Sequence, residues 1–185
     1  RAKAGGLADV SALLVHGLSS AEKDIHLAIP HYRNLFQSGE QATHPGKRTR
    51  ISVGDRIHLA EDCKFYRRGG VYQACKEDLL MSALAFQRDL INHIIPRVKP
   101  DIIHCNDWMT SFIPLYLKTS YKSDPIFKDS KSIFTVYDNK FDHKFGPDLI
   151  EKVKMLDIED EMLDTLKSGD YDSFIKLGAS FADVV

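Results

Sequence analysis

Apolar positions along the chain switch repeatedly between helical and extended spacing. Leu7, Val10, Leu13, Leu14 and Leu18 share one face of a helix that follows Gly5-Gly6 and should end near Ser19-Ser20. Residues 25–29, closed by Pro30, predict a short strand, and residues 51–59 predict one or two more. The intervening stretch, 37–50, is rich in Gly, Thr and charge, and reads as a surface excursion because too little chain precedes it to form a domain. Leu79, Ala83, Phe86, Leu90 and Ile94 predict a helix over 77–95, with Glu77 and Asp78 favouring its N-terminus and Pro96 stopping it. Residues 101–105 read as a buried strand, 107–118 as a helix disturbed by Pro114, and 132–137 as another strand. Helix-like segments return after Pro147, and the tail 181–185 reads as a strand cut short.

Strands separated by helices in this order predict an α/β fold with a mostly parallel, doubly wound (Rossmann-like) sheet. Such sheets bind ligands at the carboxyl ends of their strands. The loops around Pro30, residues 106–108 and residues 137–139 are therefore the places to look.

Composition narrows the classes of partner. Lys and Arg number 25 against 26 Asp and Glu, a formal net charge of -1, which gives no electrostatic reason to expect nucleic acid or an anionic membrane. A neutral polysaccharide would suit such a chain. Cys63, Cys75 and Cys105 are odd in number, widely spaced and without a C-x-x-C pair, so neither a disulfide framework nor a zinc knuckle is expected and a reducing cytoplasm is. No apolar run reaches membrane-spanning length, and the eight histidines show no pair at metal-ligand spacing, so no metal is expected. Without an initiator Met, residues are expected to precede Arg1.

Three stretches carry chemistry. In Lys3-Ala4-Gly5-Gly6-Leu7-Ala8-Asp9-Val10, paired glycines before a helix allow close backbone approach, and the exposed N–H groups with Lys3 favour a phosphate; a simple turn and N-cap is the alternative. In Pro100 to Thr110, a strand delivers Asp107 and Trp108 at its carboxyl end. There a carboxylate could accept sugar hydroxyls and an indole could cover a pyranose, or Asp107 could cap a helix and Trp108 fill core. The third stretch, Phe134-Thr135-Val136-Tyr137-Asp138-Asn139, ends the next strand. The basic and aromatic cluster at 64–72 could grip a glucan or a nucleic-acid strand but reads more simply as the loop before the long helix, and the acidic run 157–164 reads as a solvated face.

The first stretch resembles the K-x-G-G-L-x-D-V signature of glycogen and starch synthases, and Pro30-His31-Tyr32 resembles that family's strand ending in P-x-Y. Pro100 to Met109 is similar to the family's P-D-x-x-H-x-H-D-W-H, with Asn106 and Met109 in place of two histidines, and Tyr137 stands at the His of its T-V-H-N. The resemblance implies a retaining glucosyltransferase of the two-domain GT-B fold, moving glucose from ADP-glucose or UDP-glucose to the nonreducing end of an α-1,4-glucan without metal or other cofactor. Residues 1–185 would be part of its N-terminal, acceptor and glucose-side domain, lacking the C-terminal nucleotide-binding domain. Lys3, Gly5 and Gly6 would face the donor diphosphate and Asp9 the glucose. Asp107 and Tyr137 would be catalytic, the latter partly through its backbone carbonyl, with Trp108, Asp138 and Asn139 binding substrate. The substitution at Tyr137 leaves two readings: a subfamily with Tyr at this site, or a glucan-binding relative with altered or lost activity.

Overall fold

The computed structural model describes residues 6–20, 23–32, 56–66, 75–138 and 140–185. These fall in two compact units, Arg1–Ala74 and Cys75–Val185. Both are mixed α/β with parallel strand pairs.

In the first unit, helix α1 (Gly6–Ser20) ends where the apolar period ends. Strands β1 (Leu27–Pro30) and β2 (Ile57–Ala60) pair in parallel, with Leu27 opposite Ile57 and Pro30 opposite Ala60. The His31 N–H donates to the Ala60 carbonyl at 2.9 Å and carries the ladder one step past Pro30, which has no N–H to give. A 3-10 turn, Cys63–Tyr66, buries Phe65, and Tyr32 meets that ring edge-on at 5.8 Å. The excursion at 37–50 and most of the cluster at 64–72 lie outside the described residues.

The second unit opens on α2 (Lys76–Asp89), with Glu77 and Asp78 in its first turn. Pro96 does not stop the helical path as the sequence predicts. A π-turn, Leu90–Ile94, passes into α3 (Ile95–Val98), and the chain leaves the helix only at Lys99, with φ 52° and ψ 58°. Proline lacks an N–H and its ring collides with the carbonyl four residues back in a regular α-helix; the wider turn immediately before Pro96 absorbs both effects. Strand β3 (Ile102–Asn106) pairs in parallel with β4 (Lys131–Thr135), Asn106 opposite Thr135. The expected buried strand is half-buried: Cys105 is enclosed while Ile102 is 58% exposed.

Between the two strands a 3-10 turn, Trp108–Thr110, precedes α4 (Phe112–Lys118). Pro114 sits in the first turn of α4, where an N–H would have no intrahelical partner, so the interruption falls before it at Ser111. The buried Gln87 side chain reaches from α2 and accepts the Phe112 N–H at 2.8 Å, supplying one of the partners that a helix start lacks. After β4 come α5 (Leu149–Val153), a 3-10 segment, Asp160–Ser168, and α6 (Tyr171–Phe181). The acidic run is solvated as expected, with Lys154 pairing Asp160 and Lys167 pairing Asp164, while Leu163 and Leu166 turn into the core.

Only one residue of the predicted terminal strand is paired. Val184 forms a parallel bridge with Ile133, and its carbonyl accepts the Phe134 N–H at 2.9 Å. Asp183 fastens this end. Its carboxylate takes the Ser132 N–H at 2.8 Å, the Ser132 hydroxyl at 3.0 Å and the Lys118 ammonium at 2.6 Å. Among the described residues no helix is long and apolar enough to cross a membrane.

Candidate functional site

The parallel pairing of β3 and β4 places their carboxyl ends side by side, because Asn106 and Thr135 are register partners and the Asp107 N–H donates to the Thr135 carbonyl at 2.9 Å. The chain must then turn sharply from strand to helix. Asp107 makes the turn with φ 61° and ψ -178°, a backbone region that is essentially restricted to glycine and costs a side-chain-bearing residue about 1–3 kcal/mol. Local bonds hold it there: the Thr110 N–H and hydroxyl both donate to the Asp107 carbonyl at 3.0 Å.

The Asp107 side chain is buried, and its Oδ1 accepts the Tyr171 hydroxyl at 2.9 Å. The same hydroxyl lies 2.6 Å from the backbone carbonyl oxygen of Tyr137. The Tyr137 phenol donates to Asn106 Oδ1 at 3.0 Å. Burial, reinforced by the Asp107 charge, holds the phenol above its ordinary range, so it stays protonated at neutral pH. Beside this group His104 Nε2 is 2.7 Å from Thr135 Oγ1, and burial pushes its imidazole below the usual range, favouring the neutral ring.

The elements that bring Tyr171 here are legible in local chemistry. Gly169 has φ 64°, and a Cβ on it would lie 2.5 Å from the Phe145 carbonyl oxygen, so the turn before α6 requires glycine. Asp170 caps α6 by accepting the Ser173 N–H at 3.0 Å. Tyr171 is then the first residue of the helix. Seven residues on, a Cβ on Gly178 would lie 2.7 Å from the Phe134 ring, so α6 packs against β4 at very close range.

Trp108 is 4% exposed, with Phe141 at 5.1 Å and Phe174 at 5.7 Å meeting it edge-on. Trp108 is thus packed in the core of the second unit, where each aromatic pair adds about 0.5–1.5 kcal/mol beyond burial. Asp138 is exposed beside Tyr137, and Asn139 lies outside the described residues. Lys3 and Gly5 also lie outside them, whereas Gly6 opens α1 and Asp9 stands exposed in its first turn.

At the carboxyl ends of β1 and β2, the buried His31 places Nδ1 2.5 Å from Glu61 Oε1. Sequence reading singled out neither as a partner, since only the folded register brings residues 31 and 61 together. It also missed Tyr171, Phe141 and His143. The alternation Phe141, His143, Phe145 was the available signal for the last two, because an extended segment puts every second side chain on one side. His143 stacks on Phe141 at 4.6 Å and meets Phe145 edge-on at 4.9 Å. Among the described residues no group of His, Cys, Asp and Glu is arranged to hold a metal ion.

Buried acid, backbone carbonyl and phenol at the ends of two neighbouring parallel strands could fix the hydroxyls of a polar ligand. Comparison with known proteins gives that arrangement a context. The chain is 28% identical over 201 residues to the glycogen synthase of Moorella thermoacetica, covering 100% of this chain and 40% of that protein. It is 27% identical over 206 residues to the glycogen synthase of Thermotoga maritima, covering 100% and 42%. With the glycogen synthase of Clostridium botulinum strain Alaska E43 the figures are 29% over 201 residues, 99% and 41%. The chain thus spans about two fifths of the length of these relatives. The family model described as the starch synthase catalytic domain matches residues 1–185, and the chain belongs to that family.

Proposed function

We propose that the protein containing this chain is a retaining glucosyltransferase that adds glucose from ADP-glucose or UDP-glucose to the nonreducing end of an α-1,4-glucan. The observation that carries the reading is the meeting of the Asp107 carboxylate and the Tyr137 carbonyl at the ends of β3 and β4, in a chain matched over all its residues by a starch synthase model. Asp107 would accept a glucose hydroxyl, and the Tyr137 carbonyl would face the reacting sugar. Lys3, Gly5 and Gly6 would hold the donor diphosphate, Asp9 the glucose, and Asp138 and Asn139 the rim of the sugar site. Trp108 would bind substrate beside Asp107. Residues 1–185 would be part of the N-terminal, acceptor and glucose-side domain of a doubly wound GT-B enzyme working in the cytoplasm, and a further domain would supply the nucleotide site.

A second reading is supported by Tyr137 and Asn106, which stand where the resembling motifs carry histidine: a glucan-binding relative with altered or lost transfer activity. Glucose incorporation into glycogen, measured on the full-length protein with each donor, separates the two. The enzyme reading expects incorporation that Asp107→Asn lowers by about tenfold or more, as loss of a charged hydrogen-bond acceptor implies. Maltooligosaccharide binding without incorporation would establish the second reading instead.

A further inference from the structure

We propose that Tyr171 is a positioning residue of this site, its hydroxyl fixing the Asp107 carboxylate and the Tyr137 carbonyl in one spatial relation. Its role in turnover rests on the glucosyltransferase reading. One O–H proton serves two acceptors, at 2.9 Å and 2.6 Å, in a three-centre arrangement. Those acceptors are 30 positions apart in sequence and belong to the ends of different strands. The β-ladder fixes the backbone of β3 and β4 only as far as the Asp107 N–H, and beyond that bond the two chains diverge, one into the turn at 108–110 and the other into the loop after Tyr137. Past the ladder the Tyr137 phenol ties back to Asn106 Oδ1, and the Tyr171 hydroxyl ties the Asp107 carboxylate itself to the Tyr137 carbonyl.

The tie is itself rigidly placed. The Tyr171 ring is buried, Phe141 meets it edge-on at 5.7 Å, and the glycine turn and Asp170 cap before it fix the start of α6. A phenol held this way has little rotamer freedom to lose, so its hydrogen bonds act as a fixed spacer. The backbone of Asp107 is strained, and a strained residue keeps its geometry only while its surroundings over-determine it. Removing the Tyr171 hydroxyl withdraws one of those determinants without altering shape. The two groups it ties would then sample a wider range of separations. Misplacement of this kind penalises the transition state more than ground-state binding.

The test compares Tyr171→Phe with Tyr116→Phe in the full-length protein. Tyr116 is a second buried tyrosine, donating to the Val153 carbonyl at 2.9 Å, and serves as a control for the general loss of a buried hydroxyl. Tyr171→Phe should lower kcat by about tenfold to a hundredfold while the donor KM changes by less than about threefold. Its crystal structure should show the Asp107 carboxylate or the Tyr137 carbonyl displaced. Tyr116→Phe should lower the melting temperature and leave kcat unchanged. A Tyr171→Phe enzyme with wild-type kcat overturns the role, whatever happens to its melting temperature. Should the wild-type protein transfer glucose from neither donor, the functional reading fails on its own, and the positioning claim is decided by the variant structure: unmoved Asp107 and Tyr137 groups overturn it.

Discussion

Tyr137 and Asn106 face each other across the ends of β4 and β3, and the phenol of one donates to the amide oxygen of the other at 3.0 Å. Both stand where the resembling motifs have histidine, so the two departures form one contact. A neutral pair of this kind contributes about 0.5–1.5 kcal/mol. Asn106→Ala and Tyr137→Phe should each cost about that much, and the double variant little more than either alone, in a urea-unfolding cycle. Additive losses would show that the contact carries no coupling. Tyr137→Phe should also keep much of the turnover, since the backbone carbonyl survives it.

The strained backbone at Asp107 predicts an inverted ranking of two small residues. Glycine adopts φ 61° without penalty, whereas alanine inherits the strain. After allowing for the greater freedom of glycine in the unfolded chain, Asp107→Gly should be more stable than Asp107→Ala by about 1–2 kcal/mol. Neither should transfer glucose. Thermal unfolding of the two variants side by side decides it, and alanine coming out ahead would mean that the turn is relaxed.

Asp183 should make the fold acid-sensitive at one end. Burial alone would raise its carboxyl, but the Lys118 ammonium and the Ser132 N–H and hydroxyl outweigh it and bring the group from 3.8 to about 2. A carboxyl depressed by folding stabilises the folded state above its unfolded value and loses that contribution as pH falls through its folded value. The stabilisation should therefore be complete above pH 4 and fade between about pH 4 and pH 2. Water reaches this pair, so it is worth about 1 kcal/mol. Asp183→Asn should show that deficit at pH 7 and approach the wild type only as pH falls below about 2 in denaturant titrations. A deficit that persists unchanged at the acid end would assign the loss to packing.

What the sequence made legible was whatever a local period could encode. The apolar face of α1, the long helix from Lys76 and the strand expected at 132–137, which ends two residues earlier at Thr135, all stand out by spacing. Pro96 misled because the rule that proline ends a helix presumes regular α turns, and the π-turn before it is a geometry without a composition of its own. Asp107 and Tyr137 were visible as strand-end residues. The hydroxyl between them was not, since Tyr171 lies 34 positions beyond Tyr137 and reads in sequence as one more residue at a helix start. Trp108 shows the converse limit: a side chain suited to cover a sugar is equally suited to a core, and its packing with Phe141 and Phe174 is set by residues 33 and 66 positions away.

The close approach at Gly178 makes α6 a lever. Its fulcrum is the Phe134 ring, and its long arm ends at Tyr171, about 10 Å away along the helix axis at 1.5 Å per residue. A methyl group at the fulcrum would have to displace the Phe134 ring or the helix, and to the extent that the helix yields the arm carries its tilt to the Tyr171 hydroxyl. Sequence drift at a glycine that touches no substrate would thereby detune the strand ends from a distance, so residue 178 belongs among the positions where a change reads as loss of precision before it reads as loss of fold.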